Sequence, residues 1–567
     1  MRLLHRSALR PALLLLFLAV AARAAGAQRC DSVSSQTSLA QLSGRRIAAV
    51  RVVTADPTPL PGPAAMLGAL HMRTRESTVR RELLLAPGDT VDTLRVAESL
   101  RRLRQRRYLT EAEVRATTCG GPVALTVVTR DGWSTKPNVQ VGSSRAAFEL
   151  RERNLLGTGR QAALSVRSDR GRVGLGATLT DPVAFGDRAV LAIGGSRYRD
   201  ASEWSAALAR RERSVRDPWS YEAYLEQSTR VPLTREPSGV VGGAPPAVGA
   251  VRLETFRRAS AGGLVGRRVH ASDAAVTSLQ AGIEYERAGL VAATSAPLLG
   301  SGRVRREFAA LDIGARRRSV AFDTLTWLLP AAALVDVPLA LELDALVGLG
   351  REVAHGTSIA HVDLWGGRMW RPDRKSLLVA DLWSSGYLTP GRLAAGTLRG
   401  SAAFYRGAPR GLWTARLGAE WLADPDPDLR AMVTADPTAG ALPPQGRLAE
   451  AAAALSLERA VRLRPLSRSW VLDGAAFGAL STRWDPAEAP PPGVAPLAGE
   501  HGRERLDLGV LGVGVRLTPT RLGRATARLD VGFPLLRSAG VPARPFVAIS
   551  ISPWLEQGRH RDARAEQ

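Results

Sequence analysis

Residues 413–421, with the sequence WTARLGAEW, decide the fold of this chain. Apolar side chains and polar or glycine residues alternate here: Trp413, Ala415, Leu417, Ala419 and Trp421 with Thr414, Arg416, Gly418 and Glu420. A repeat of two places successive side chains on opposite faces of a β-strand. The same alternation recurs at 173–180, 219–226, 279–286, 339–346 and 525–533. Residues 138–555 are therefore predicted to form a long series of strands, each with one apolar face.

The apolar face of these strands predicts a transmembrane antiparallel β-barrel. Segments of roughly ten residues with this pattern are typical of such barrels, because lipid cannot hydrogen-bond the backbone and a closed sheet leaves no strand unpaired. A soluble β-sandwich fits less well, since about 420 residues would make a very large single sandwich. At ~26 residues per strand and connection, the region predicts about sixteen strands. The charged residues are expected in the lumen: Glu342, Asp344, Arg416, Glu420, Arg528 and Asp530.

The composition excludes some functional classes. The chain has 567 residues, with 77 Lys and Arg against 53 Asp and Glu, and a net charge of +24. Such a charge often indicates nucleic-acid binding. Here only Lys136 and Lys375 are lysines, and the arginines are spread along the whole chain among acidic residues. We attribute the excess to arginine-rich coding and expect no nucleic-acid partner.

The first 27 residues have the organisation of a secretory signal peptide. A basic start precedes the apolar run Ala12–Ala22 and the small residues Ala25–Ala27. The apolar run is too short to span a membrane. Residues 28–44 then form the N-terminal segment of the mature chain. A single N-terminal anchor is the alternative interpretation.

Residues 45–134 predict one small α+β domain. The expected elements are a strand at 47–53, a helix at 74–85, a helix after Asp92, and strands at 111–117 and 123–129. Asp92 is a favourable N-cap, and the residues after it carry apolar side chains at helical spacing. The predicted order is therefore β-α-α-β-β.

This domain resembles a POTRA domain, the periplasmic module of the outer-membrane assembly and secretion superfamily of the BamA and TamA type. The resemblance lies in the element order, in residues 85–89 (LAPGD) between the helices, and in residues 98–109 (ESLRRLRQRRYL) before the second strand. It implies that the module captures client chains by adding a strand to an exposed sheet edge, where backbone groups are unpaired. The alternative is that the module only spaces or plugs the barrel.

The junction between module and barrel resembles the opening barrel strands of the same family. In residues 148–159 (FELRERNLLGTG), an acidic residue precedes an Asn-Leu-Leu-Gly-x-Gly turn. The residues that carry this resemblance are Glu152, Asn154, Leu155, Leu156, Gly157 and Gly159. Residues 508–535 resemble the family's penultimate hairpin, and 546–551 a closing strand before a polar tail at 556–567.

Leu398, Arg399 and Gly400 resemble a further family motif, in which a loop folds back into the barrel lumen. The resemblance implies that Arg399 pairs with an acidic residue on the inner wall, and Asp473 is the candidate partner. A buried arginine in a lumen of low dielectric needs such a carboxylate. Ser401 stands where the family has an aromatic residue.

The sequence contains no motif of a catalytic or cofactor site. Gly-x-Ser-x-Gly, His-Glu-x-x-His and the phosphate-binding Gly-Lys-Ser/Thr are absent, and the seven histidines are far apart. We therefore expect no enzyme activity, no cofactor and no metal. In the oxidising compartment that export implies, Cys30 and Cys119 can form a disulfide; two unpaired thiols are the alternative.

Together these features predict an outer-membrane barrel with its N-terminal domain in the periplasm. The resemblance implies that it assists the insertion or translocation of client polypeptides. The expected partners are outer-membrane lipid, unfolded client polypeptides and accessory periplasmic proteins. A passive channel or a surface receptor built on the same barrel is the alternative, and a barrel-embedded lipid hydrolase is a more distant one.

Overall fold

The structure is a computed structural model of the chain. It describes residues 31–33, 40–57, 71–106, 108–118, 121–141, 145–169, 172–185, 189–198, 201–210, 214, 217–230, 255–291, 306–328, 335–353, 356–390, 392–423, 451–467, 470–484, 505–519, 525–537 and 545–553. The predicted signal peptide (1–27), both cysteines (Cys30 and Cys119) and the polar tail (556–567) lie outside the described residues.

The N-terminal module is a four-stranded sheet packed against two helices. Its elements are β1 (Asp31–Val33), β2 (Ile47–Ala55), α1 (Glu76–Glu82), α2 (Thr93–Gln105), β3 (Leu109–Thr118) and β4 (Val123–Asp131). The strand order in the sheet is β1-β3-β4-β2, with β4 parallel to β2 and antiparallel to β3. From β2 onward this is the predicted β-α-α-β-β order. The short edge strand β1 comes from the segment that precedes the predicted domain.

Apolar faces of the helices and of the sheet form the core of the module. Leu100 and Leu103 lie on the buried face of α2 and pack in one cluster with Val114 of β3 and Leu125 of β4. The side chain of Asp92 accepts hydrogen bonds from backbone N–H groups in the first turn of α2, as expected for an N-cap. Helical spacing and a capping residue therefore place α2 across the sheet.

The described residues from Thr135 onward form 22 strands. They are β5 (Thr135–Val141), β6 (Arg145–Leu155), β7 (Arg160–Asp169), β8 (Arg172–Ala184), β9 (Ala189–Tyr198), β10 (Ser202–Arg210), β11 (Trp219–Arg230), β12 (Thr255–Ala271), β13 (Ala275–Val291), β14 (Arg306–Ser319), β15 (Phe322–Leu325), β16 (Val335–Pro338), β17 (Glu342–Glu352), β18 (Ser358–Trp370), β19 (Ser376–Thr389), β20 (Arg392–Ala408), β21 (Gly411–Ala423), β22 (Ala451–Ser467), β23 (Trp470–Trp484), β24 (Arg505–Pro519), β25 (Ala525–Arg537) and β26 (Phe546–Pro553). All but β15 and β16 form one closed antiparallel barrel, in which β14 pairs with β17 and β26 pairs with β5. Strands β15 and β16 form a separate hairpin.

The prediction of about sixteen strands is wrong, because the described residues form a barrel of twenty. The prediction allotted ~26 residues to each strand and its connection. Many connections at the end that carries the module are much shorter: residues 272–274 join β12 to β13, and residues 409–410 join β20 to β21. More strands therefore fit into the same length of chain. The wall runs from Thr135 to Pro553, where 138–555 was expected.

The barrel wall has an apolar outer face and a more polar inner face. On β14, Leu311 and Ile313 point outward and are 67% and 71% exposed, whereas Asp312 between them points inward and is 3% exposed. Large apolar surfaces are unfavourable in water, and a closed barrel with such an outer face is a membrane-spanning architecture. Among the described residues, no helix has the length and apolarity that a membrane crossing requires.

Candidate functional site

The predicted barrel-start motif forms the turn between β6 and β7. Glu152, Asn154 and Leu155 lie at the end of β6, and the chain then reverses through residues 156–159. Three of its residues have positive φ: Leu156 at 55°, Gly157 at 72° and Gly159 at 77°. Glycine adopts this conformation without strain, so two of the three positions suit the residue that the motif supplies.

Asn154 holds this turn closed and joins it to the module. Its side chain is buried; Oδ1 accepts a hydrogen bond from the backbone N–H of Gly159, and Nδ2 donates one to Oγ1 of Thr74, both at 2.8 Å. The Glu152 carboxylate accepts from the backbone N–H of Asn154 at 2.7 Å and from the hydroxyl of Thr135 at the start of β5. The motif therefore fixes both the first barrel turn and its attachment.

Gly157 brings the turn into direct backbone contact with α1. Its carbonyl oxygen accepts hydrogen bonds from the backbone N–H of Arg75 and from the hydroxyl of Thr78, both at 2.9 Å. A Cβ atom at Gly157 would overlap the carbonyl oxygen of Arg73. A Cβ atom at Gly159 would lie 2.9 Å from the hydroxyl oxygen of Tyr108. Both glycines are therefore required by close approach as well as by φ.

Asp131, the last residue of β4, supports the same joint from the module side. Its carboxylate accepts hydrogen bonds from the backbone N–H of Thr74 at 2.7 Å and contacts Nε2 of His71 at 3.1 Å. Burial raises the pKa of Asp131, although the hydrogen bond from Thr74 and the nearby His71 act against the shift. Asp131 therefore positions the segment that receives Asn154.

The hairpin formed by β15 and β16 packs inside the barrel at the module end. Four of its residues form one cluster with four buried residues of the inner wall: Leu325, Leu328, Val335 and Val337 with Met369, Leu377, Tyr405 and Leu412. The wall residues Leu377 and Tyr405 are register partners on β19 and β20 and are fully or almost fully buried. The hairpin therefore fills part of the lumen next to the module.

Helix α2 of the module contacts this hairpin. The guanidinium of Arg104 lies 3.5 Å from the carboxylate of Asp336, and that of Arg101 stacks 4.0 Å from the ring centroid of Phe322. The hairpin was not predicted from the sequence. The available signal was the length of the connection between β14 and β17, which spans residues 320–341 and includes two short apolar runs.

The predicted lumen loop is wrong, because Leu398, Arg399 and Gly400 lie within strand β20. Leu398 points outward, and Arg399 points inward to its register partner on β21, Glu420, with Nη2 2.6 Å from Oε1. The predicted pair with Asp473 is also wrong. Asp473 lies on β23, where its register partner Arg462 is 3.6 Å away. The sequence Leu-Arg-Gly is compatible with the alternation of a strand as well as with a loop motif. In the barrel, Arg399 and Asp473 each pair with an oppositely charged residue on an adjacent strand.

The inner wall carries the charge pairs expected of a polar lumen. Arg516 and Arg528 both contact the carboxylate of Glu458, at 2.9 and 2.7 Å, and Arg516 also binds Asp530. Of the charged residues predicted to face the lumen, these four are buried: Glu342, Asp344, Glu420 and Asp530. Pairing of this kind offsets the cost of removing charges from water.

The barrel closes through a short contact between its first and last strands. Among the described residues, the register joins Ile549 of β26 to Val141 of β5 and Ser550 to Gln140. The neighbouring pairs are more extensive, with eight register pairs between β25 and β26 and seven between β5 and β6. In the part of the chain that the structure describes, the contact between β5 and β26, which we call the seam, therefore has fewer backbone pairings than either neighbouring strand pair.

The expected disulfide remains a prediction, since Cys30 and Cys119 lie outside the described residues. The residues next to them, Asp31 of β1 and Thr118 of β3, are register partners in adjacent strands.

The chain matches no protein-family model and no curated protein. Its structure is similar to CdiB from Escherichia coli, at 13% identity and a TM-score of 0.45 over 92% of this chain and 80% of that one. It is similar to BamA from Haemophilus ducreyi, at 12% identity and a TM-score of 0.35 over 90% and 84% of the two chains. A third match is the FrpB iron transporter from Neisseria meningitidis, at 9% identity and a TM-score of 0.37 over 92% and 96%.

Proposed function

We propose that this protein assists the insertion or translocation of client polypeptides at the bacterial outer membrane, with its N-terminal module in the periplasm. The observation that carries the proposal is the seam, where two register pairs join β26 to β5 among the described residues. Each backbone hydrogen bond contributes about 1 kcal/mol net, so the described part of the seam costs less to open than the neighbouring pairs of β5 with β6 and of β25 with β26.

The module supplies an edge on which a client strand can pair. Strand β3 spans Leu109–Thr118, and β1 pairs with its residues 116–118. In the part of the chain that the structure describes, residues 109–115 are paired with β4 on one side and with no strand on the other. Unpaired backbone groups on a sheet edge are a template for an incoming strand.

The joint between module and barrel keeps a client that is bound to the module near the seam. The turn at residues 156–159 is bonded to α1, and the same barrel strand, β6, pairs directly with the seam strand β5. A client held on β3 is therefore tethered close to the strand that it must reach. Client folding supplies the free energy in this scheme, and the protein performs no covalent chemistry.

The lumenal hairpin favours a lateral route over a passive channel. Its apolar residues pack against the inner wall beside the module, and α2 contacts it through Arg101 and Arg104. This packing narrows the path of a solute that enters the lumen from the module end, whereas a strand added at the seam does not pass it. The passive channel and the surface receptor are thus the less supported alternatives.

Site-specific photocrosslinking in the native host tests the proposal. A photoreactive amino acid is placed at Glu113 on β3 or at Ile549 on β26, and the crosslinked polypeptides are identified by mass spectrometry. Ile313 on β14, which is also exposed to lipid, is the matched control. We expect the same outer-membrane or surface polypeptides from Glu113 and Ile549 and none of them from Ile313. Recovery of lipid adducts alone at Ile549 contradicts the proposal.

A further inference from the structure

Three potential metal ligands meet on the inner wall of the barrel. Glu284 on β13, Asp312 on β14 and His361 on β18 are 9%, 3% and 8% exposed. Their ligand atoms lie within 4.8 Å of one another, and Nδ1 of His361 is 3.2 Å from Oε2 of Glu284. The three strands that carry these residues are not among β5, β6 and β7, which carry the joint between module and barrel.

Glycines on the neighbouring strands leave space around Asp312. In the register, Asp312 faces Gly282 of β13 on one side and Gly348 of β17 on the other, and Gly348 in turn faces His361. A Cβ atom at Gly348 would overlap Oδ1 of Asp312. Because Gly348 has no side chain, nothing on β17 separates the carboxylate of Asp312 from the imidazole of His361.

Adjacent aromatic and charged groups hold the imidazole in place. The ring of Tyr387 stacks on His361 with a centroid distance of 5.2 Å and an interplanar angle of 27°. The hydroxyl of Tyr387 donates to Glu286 at 2.8 Å, and Arg306 binds the same carboxylate at 2.6 Å. Supporting contacts of this kind orient the ligands of metal sites.

We propose that Glu284, Asp312 and His361 bind one divalent transition-metal ion, of which Zn²⁺ is the best fit. One imidazole nitrogen and two carboxylate oxygens form a ligand set that favours Zn²⁺ over Mg²⁺ or Ca²⁺, which prefer oxygen alone. Ligand bonds of about 2.0–2.2 Å leave the ligand atoms of a tetrahedral site about 3.3–3.6 Å apart. The distance of 3.2 Å between Nδ1 of His361 and Oε2 of Glu284 is close to this value, and the three ligand atoms lie within 4.8 Å of one another.

Such an ion would link β18 to β13 and β14, with which β18 does not pair. β13 and β14 pair with each other, but β18 is separated from β14 by β17. Coordination by residues of β13, β14 and β18 would hold this part of the barrel wall together from the lumen side. The role that we assign to the metal is therefore structural.

The test measures Zn²⁺ binding by the purified, tag-free full-length protein in detergent. The protein is stripped with a chelator, incubated with Zn²⁺ and desalted, and bound zinc is measured by inductively coupled plasma mass spectrometry. We expect one Zn²⁺ per chain. Glu284→Gln, Asp312→Asn and His361→Ala should each lower the affinity by at least tenfold in a competition titration with a chromophoric chelator.

Asp344→Asn is the matched control, since Asp344 is a buried carboxylate on the same inner wall that pairs with Arg316 at 3.0 Å. It should bind zinc as the unmodified protein does. Gly348→Ala gives a second test that leaves all three ligands in place, and it should weaken binding because the added Cβ displaces Asp312. The shift in gel mobility between heated and unheated samples verifies that each variant is folded. No zinc on the unmodified protein, or equal affinity in the folded ligand variants, overturns the proposal.

Discussion

Nδ2 of Asn154, at the start of the barrel, donates a hydrogen bond to Oγ1 of Thr74 in the module, 2.8 Å away. The two residues are 80 positions apart, yet their bond lies in the buried joint that also contains Asp131 and Gly159. The module is thus attached to the wall through defined side-chain and backbone contacts.

Gly157→Ala should loosen the joint. The substitution places a side chain at a φ of 72° and against the carbonyl of Arg73. The left-handed conformation alone costs about 1–2 kcal/mol, and a loss of about 1.4 kcal/mol corresponds to a tenfold change in an opening equilibrium. The backbone N–H of Arg75, which donates to Gly157, should exchange with deuterium at least tenfold faster.

Gly44→Ala is the control for that experiment. Gly44 has a similar φ of 81°, but a Cβ atom there meets no other atom within 4 Å. It should leave exchange at Arg75 unchanged. Equal protection of Arg75 in the Gly157→Ala variant and the unmodified protein would show that the joint does not depend on this contact.

Glu82→Gln should destabilise the module in a pH-dependent manner. Burial opposes ionisation of Glu82, but Arg106 and Arg102, at 2.5 and 2.7 Å, outweigh it and lower the pKa of its carboxyl. A lowered pKa in the folded state adds stability above the ordinary value of about 4.3, and this stability is lost as the pH falls through the folded-state pKa. Removing one partner of a buried ion pair costs about 3–5 kcal/mol.

The difference between the two proteins should therefore be large at pH 7 and shrink as the pH falls below about 4. Hydrogen exchange of α2, compared at each pH between the Glu82→Gln variant and the unmodified protein, measures it. A difference that is constant from pH 7 to pH 3 would rule out the ion pair as its source.

Disrupting the lumenal hairpin should open the barrel to ions. Leu325 and Leu328 are almost completely buried in the cluster between hairpin and wall. Replacing a buried leucine by alanine costs about 2–5 kcal/mol, so Leu325→Ala combined with Leu328→Ala should release the hairpin. Conductance in planar bilayers should rise severalfold. The control is Leu339→Ala, at a residue 40% exposed on the same connection, and it should conduct as the unmodified protein does. Equal conductance of the double variant, the control and the unmodified protein would show that the packing of the hairpin does not limit the passage of ions.

Arg399 should be coupled energetically to Glu420 and not to Asp473. The exposed fraction of the Arg399 side chain is 38%, so solvent screening limits the coupling to about 1 kcal/mol or less. Two double-mutant cycles with Arg399→Met, one with Glu420→Gln and one with Asp473→Asn, measure this from urea unfolding in detergent. Coupling to Asp473 that equals or exceeds the coupling to Glu420 would favour the family's loop arrangement over a continuous β20.

The alternation of side chains was sufficient to predict the barrel class, but not its strand number. Alternation at residues 413–421 reports which face a side chain occupies, and Trp413 and Trp421 are indeed on the exposed face. Strand number depends on how tightly each hairpin turns. A turn of two residues, such as 409–410, is too short to be recognised between two strands when alternation is judged over about ten residues.

The site was predictable only where its residues are contiguous. Residues 152–159 form one turn, and the motif identified it. Arg399 was misassigned because a three-residue motif carries no information about which strand lies beside it, and register alone brought Glu420 to it. The cluster of Glu284, Asp312 and His361 is assembled by pairing between strands far apart in the sequence, so no spacing rule for metal ligands could detect it.

The central claim is that the seam between β5 and β26 opens for client chains. The most direct test is a disulfide across it, formed by Val141→Cys and Ile549→Cys at register partners, with the outer-membrane and surface proteome of the host as the readout. A second tether, Val531→Cys with Val547→Cys between β25 and β26, is the control. We predict that the oxidised seam tether lowers the abundance of the same outer-membrane proteins as a deletion of the gene does. Adding reductant should restore their abundance, and the control tether should have no effect. An oxidised seam tether that leaves the proteome unchanged, while the deletion alters it, would contradict the account.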